Sequence, residues 1–129
     1  RRPEDVVIRH SQITAPEIRG DLAANVEALL GRGLKALVVK RGAQGSVVYL
    51  PGGEVVTAPG FPAEVVSILG AGDAFAAGFI YGYLQGWDYY RAARLGNACG
   101  AIVVGRIGCA DFTPYRDEVM EFIESKGGF

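Results

Sequence analysis

The segment Gly70-Ala71-Gly72-Asp73-Ala74-Phe75 sets two glycines against a carboxylate at the head of an apolar run. The glycines are expected to turn the chain, with a helix starting so that Asp73 lies in its first turn. Backbone N–H groups in a first turn have no intrahelical partners. With the helix dipole they make a site for an anion such as a phosphoryl group. Gly70 and Gly72 carry no side chain to block close approach. An aspartate beside such a site repels the anion, so its use there is as a base. A substrate hydroxyl held between Asp73 and a phosphoryl group loses its proton as it attacks, and help of that kind is typically worth ~10²–10⁴ in rate. The plain alternative is structural: Gly-x-Gly-Asp is a common turn and helix start, and aspartate stabilises a helix N-terminus by itself. The bare motif favours that alternative. A dinucleotide-binding fingerprint fits worse, because it needs glycine where Phe75 stands, and no Gly-Lys-Ser/Thr of a P-loop occurs.

The elements around the motif can be read from periodicity and punctuation. Val6–Arg9 is expected to be a short buried strand, and Thr14-Ala15-Pro16-Glu17 has capping-box spacing. Asp21 is a second possible N-cap, for a helix with Leu22, Val26, Leu29 and Leu30 on one face and Gly31 and Gly33 at its end. Ala36-Leu37-Val38-Val39 has the continuous apolar character of a strand covered on both faces. A turn at 42–45 leads to a hairpin, Ser46–Leu50 and Glu54–Ala58 about Pro51-Gly52-Gly53. Glu64–Ser67 is expected to be a short strand. A helix over Ala71–Gln85 is apolar nearly all round and so expected to be buried, with Gly86 as its stop. Asp88 is the expected N-cap of a helix from Tyr89 to about Val104. Pro114 fits the first turn of a last helix ending near Lys126. Strand, helix, strand, hairpin, strand, then helices describe an α/β layer fold with an antiparallel hairpin.

Composition narrows the classes. The chain has 129 residues, 50% hydrophobic and 21% charged, with a net charge of −1. That suits one globular domain, and the absence of a basic run argues against nucleic acid or an anionic membrane as partner. Two cysteines, Cys99 and Cys109, are too few for a disulfide framework and are expected to be free thiols of a reducing cytoplasm. The single histidine, His10, rules out a multi-histidine metal site. It is read as a surface residue rather than as a nucleophilic pair with Ser11. No signal peptide is visible, and the run Ala74–Leu84 is too short to span a bilayer.

In their order and spacing these segments resemble the ribokinase (pfkB) family of ATP-dependent carbohydrate kinases. Gly70 to Phe75 followed by Ala77-Gly78-Phe79 is similar to that family's C-terminal signature. The resemblance implies that Asp73 is the catalytic base and that the amides of Gly70, Ala71 and Gly72 form an anion hole. Lys40-Arg41-Gly42-Ala43-Gln44-Gly45 resembles the family's glycine loop along the ATP phosphates, which implies nucleotide contacts for Lys40, Gly42 and Gly45; the alternative is a tight turn. Asn97, in Gly96-Asn97-Ala98-Cys99-Gly100-Ala101, stands at an adenine-side position of the family, or else is a helix-surface asparagine. Tyr81-Gly82, Gly86-Trp87 and Gly108-Cys109 look like the 5-dehydro-2-deoxygluconokinase branch, of inositol catabolism.

The fold so implied is the C-terminal part of a three-layer α/β fold, mostly parallel sheet with a β-hairpin and flanking helices. Residues 1–129 would be the C-terminal ATP-binding and catalytic portion, without the N-terminal substrate and lid portion. The implied reaction moves the γ-phosphoryl of ATP, with Mg2+, to a sugar-acid hydroxyl. Ser67 stands where members using a monovalent cation carry aspartate, so such a site is doubtful. The Asn-x-x-Glu element that helps organise magnesium is not evident near His10-Ser11-Gln12. Sugar acid and ATP are the implied partners, with homodimerisation through the N-terminal part, and the isolated segment is expected to be inactive. The alternatives are a non-catalytic nucleotide-binding or interaction module of the same ancestry, or a kinase for another sugar such as 2-keto-3-deoxygluconate or ribose.

Overall fold

Short connections decide the sheet. Residues 41–45 are too few for a crossover, so the strands they join must be antiparallel neighbours. In the computed structural model, which describes residues 20–108 and 110–129, β1 (Leu37–Lys40) pairs antiparallel with β2 (Ser46–Tyr49), and β2 with β3 (Val55–Ala58). Leu37 faces Tyr49 and Tyr49 faces Val55, which fixes the register across all three. The expected hairpin is therefore present, with Pro51-Gly52-Gly53 at its tip. Among the described strands β1 lies at an edge, and it is half-buried rather than covered on both faces. These three strands supply no parallel pairing. Of the two other strands expected, Glu64–Ser67 does not form. That stretch is irregular, Val65 and Val66 are exposed, and its ties are two N–H bonds, from Val66 and Ser67, to the Val104 carbonyl. The other, Val6–Arg9, lies outside the described residues, as do the Thr14 capping box, His10 and Cys109.

Helices α1 (Leu22–Leu30), α2 (Ala71–Leu84), α3 (Tyr89–Val104) and α4 (Arg116–Ser125) follow the expected punctuation closely. Asp21 caps α1, its Oδ1 accepting from Ala24 N at 2.8 Å, and Asp88 caps α3 by accepting from Arg91 N at 2.7 Å. On α1, Val26 is buried while Leu22 is half exposed, so only part of the apolar face is covered. Pro114 sits one residue before the N-cap Tyr115, outside the first turn of α4. Its fixed φ serves the entry to the helix there rather than the helix itself.

α3 is the central element. Every residue from Ala92 to Cys99 is buried. One side of it packs on the sheet, with Ala93 against Val48 and Ala58. The other joins Ala74 of α2 and Val119 and Ile123 of α4, with Phe61, in a second cluster. α2 and α3 meet along small residues. A methyl group on Gly78 would lie 2.8 Å from Cys99 Sγ, one on Gly82 would lie 2.9 Å from Ala92 Cα, and one on Gly96 would meet Phe75 at 2.9 Å. Only this face of α2 is covered. Ile80, Tyr83 and Leu84 are exposed, which corrects the expectation of a helix buried all round. An apolar helix is buried only where another element reaches it. At the far end of α3, Arg106 pairs with Glu118 of α4 and donates to the Phe112 carbonyl at 2.9 Å. No helix among the described residues is long and apolar enough to cross a membrane.

Candidate functional site

Gly70 ends the irregular stretch with φ 81°, a left-handed conformation that glycine adopts without cost, and thereby turns the chain into α2. The hydrogen-bond ladder of α2 starts with Ala74 N donating to Gly70 O at 3.0 Å. The N–H groups of Gly72 and Asp73, being in the first turn, have no helical carbonyl to bond. Lys40, the last residue of β1, reaches this helix end: its Nζ lies 2.7 Å from where a Cβ on Gly72 would be. A cation and the positive end of a helix thus converge on one spot, an arrangement that favours an anion.

The spot opens into a cleft of about 620 Å³. Lys40, Gly42, Gly45, Ala71, Gly72 and Asn97, all candidates from the sequence, line it together. Gly70 and Asp73 are not among the lining residues. Gly70 forms the turn behind them, and Asp73, next to Gly72, is exposed in the first turn of α2. Residues 42–44 form one turn of 3-10 helix, and Gly45 leaves it at φ 92°. So the segment is a tight turn and a wall of the cleft at once; the two readings of its sequence were not exclusive.

Asn97 is not the helix-surface asparagine of its plain reading. It is buried, and its Nδ2 donates to Ala58 O and Pro59 O, both at 3.0 Å. It borders the cleft while tying down the end of β3. The remaining cleft wall was not picked out from sequence. Phe61, Pro62 and Ala63 supply an apolar side with Ala101 and Val104. The Pro-Gly-Phe-Pro composition signals a turn but carries no sign of which cavity the turn will border. Ser67 Oγ accepts from Leu69 N at 3.3 Å, within its own loop.

Cys99 is unpaired and buried where Gly78 of α2 passes it, and burial pushes its thiol up to about 11. It is a packing residue of the helix seam, and the part of the cysteine expectation that rests on Cys109 lies outside the described residues.

Chemically, the site offers an ammonium and helix amides for an anion, an apolar wall for a flat group, and an exposed carboxylate one residue from the anion spot. Among the described residues no group of three His, Cys, Asp or Glu side chains stands close enough to hold a metal ion.

Known proteins resemble the chain throughout this region. The family model of pfkB family carbohydrate kinases matches residues 9–116. A 5-dehydro-2-deoxygluconokinase of Geobacillus thermodenitrificans is 41% identical over 90 residues, covering 70% of this chain and 27% of that protein. One from Clostridium tetani is 35% identical over 114 residues, covering 88% and 33%. A solved structure of a putative ribokinase II from E. coli, in complex with ATP and Mg2+, aligns with a TM-score of 0.77 at 34% identity. It covers 83% of this chain and 34% of that one. The chain spans 27% and 33% of the length of these two curated relatives.

Proposed function

The chain belongs to the pfkB family of carbohydrate kinases, and on that premise we propose that it forms the C-terminal ATP-binding and catalytic portion of a sugar kinase. The substrate and lid portion of the kinase would lie outside these 129 residues. The reaction is transfer of the γ-phosphoryl of ATP to a hydroxyl of a sugar acid, 5-dehydro-2-deoxygluconate, the acceptor in the name of the two relatives above. One observation carries the reading: Lys40, the 42–45 turn, Asn97 and the N-terminus of α2 share one cleft.

In this reading the chain's residues divide the work. Lys40 and the amides at Gly72 and Asp73 hold the transferring group and its developing charge, whereas the Ala71 N–H, expected in the anion hole, already donates to Ile68 O at 3.4 Å. Gly42 and Gly45 let backbone approach the other phosphates without obstruction. Phe61 and Ala101 cover the apolar part of the nucleotide, and Asn97 keeps that wall in place. Asp73 accepts the proton of the attacking hydroxyl. Magnesium, bound with the nucleotide, neutralises phosphate charge. The buried, unpaired Cys99 supports a cytoplasmic setting. Homodimerisation through the complementary portion belongs to the same proposal.

The test uses the full-length parent. Asp73→Asn should leave ATP affinity intact and lower turnover on 5-dehydro-2-deoxygluconate by ~10²–10⁴, the usual contribution of a general base. Near-normal turnover would remove Asp73 from this role. The 129-residue chain alone should bind ATP but phosphorylate nothing, since orientation of the acceptor supplies much of the rate. A second reading, a non-catalytic nucleotide-binding module, draws on the exposure of Asp73 outside the cleft lining. It requires that no acceptor among keto-deoxy sugar acids and ribose be phosphorylated by the parent.

A further inference from the structure

Arg94 is the anomaly of α3. It is only 8% exposed within a run of small and apolar residues. No carboxylate among the described residues lies within salt-bridge distance of it, and its Nε has no hydrogen-bond partner. Burying a charge without a counter-ion is costly, and an apolar residue of similar volume would usually fill the space at less cost. What the guanidinium does instead is donate to backbone. Nη1 meets Pro59 O at 2.7 Å and Gly60 O at 3.4 Å, and Nη2 meets Gly128 O at 3.2 Å. Its plane carbon sits 3.7 Å from the centre of the Phe61 ring. Asn97, one turn later on α3, holds Ala58 O and Pro59 O. Two side chains of one helix therefore clamp a single strip, residues 58–60, through their carbonyls.

That strip is in backbone-to-backbone contact with the 42–45 turn. A methyl group on Gly60 would fall 2.3 Å from Ala43 O, and one on Gly45 would fall 2.2 Å from Ala58 O. No side chain lies between them to absorb a shift, so the height of the strip sets the height of the turn. Arg94 itself does not line the cleft, whereas Ala43, Gly45, Gly60 and Phe61 do.

We propose that Arg94 is a positioning residue for the nucleotide loop: by fixing the Pro59 and Gly60 carbonyls and seating the Phe61 ring, it holds the Ala43–Gly45 backbone at the distance a nucleoside triphosphate requires. The phosphate part of this inference rests on the kinase reading above; the mechanical part does not.

The experiment compares wild type, Arg94→Lys and Gly60→Ala of this chain by amide hydrogen exchange and by titration with Mg2+–ATP. Lysine keeps the charge but cannot reach both sides of the strip. Gly60→Ala leaves Arg94 in place and pushes directly on Ala43. Both variants should speed exchange at Arg41, Gln44 and Gly45, whose N–H groups are bonded within the turn, by about tenfold, the worth of one charge-assisted hydrogen bond. Exchange in α3 from Ala98 to Val103 should stay within about twofold of wild type, and ATP affinity should fall by about tenfold. Unchanged exchange at the turn in Arg94→Lys would overturn the proposal, as would a rise shared equally by α3, which marks a merely structural residue. If Arg94→Lys does not fold, Gly60→Ala decides alone: an unperturbed turn in that variant overturns the mechanical link. Failure of wild type to bind ATP would sink the kinase reading while the exchange comparison still judged the positioning.

Discussion

Two glycines of the site behave oppositely when a methyl group is added. On Gly72 the group would press on Lys40 Nζ, the tip of a flexible side chain that can swing away. Gly72→Ala should therefore keep its melting temperature, while ATP affinity measured by titration falls about tenfold as the ammonium leaves the helix end. On Gly96 the group would press on the Phe75 ring and carbonyl, which cannot move. Gly96→Ala should cost ~1–3 kcal/mol in a urea unfolding curve. Cys99 gives a pH signature. Its thiol is held up at about 11 against an ordinary value of 9.0 by burial. The stabilisation linked to it is thus complete below pH 9 and drains away as pH rises towards 11, since the unfolded chain gives up that proton first. Melting temperature should fall across that window, and Cys99→Ala should flatten the fall. At this scale the sequence was informative where chemistry is local. Gly70 turns the chain into α2 through its own backbone, and Gly72 and Asp73 follow within its first turn. Arg94 shows in the sequence only as a charge in an apolar run, because the carbonyls it serves lie 34 and 35 residues away along the chain.

Elements were legible wherever capping residues marked them. Asp21 and Asp88 stand where the helices they cap begin, and Asp88→Ala should lower stability by ~1 kcal/mol, a loss of a few degrees in a thermal melt. The Glu64–Ser67 stretch was misjudged because its Val-Val pair has strand propensity, which is realised only beside an available strand edge. Here its neighbour is the C-terminal end of α3, and two N–H bonds to Val104 replace a ladder. The seam between α2 and α3 was half legible. The apolar composition of α2 announced burial, but not that it would be against α3 on one face only.

For the molecule as a whole, an uncovered apolar face is the main departure from the all-round burial that the composition of α2 suggested. Ile80 and Leu84 are 54% and 74% exposed on it. Exposed apolar patches of this kind drive association. The paired change Ile80→Lys and Leu84→Lys should leave the helical circular dichroism unchanged. It should also reduce binding of an apolar dye and concentration-dependent scattering by this chain. The α/β class and hairpin could be read from periodicity; the partner of that face could not, since periodicity reports that a surface is apolar and not what covers it. The hairpin itself is held very unequally along its length. At its base Gly45 packs directly on the backbone of Ala58, Pro59 and Gly60, whereas at Gly52 and Gly53 an added atom would meet nothing within 4 Å. Substitution is thus forbidden at the base of the ribbon and open at its tip. A fluorophore-bearing insertion between Gly52 and Gly53 would therefore sit outside the cleft, where the chain has room to spare, and leave the packing at the base of the hairpin untouched.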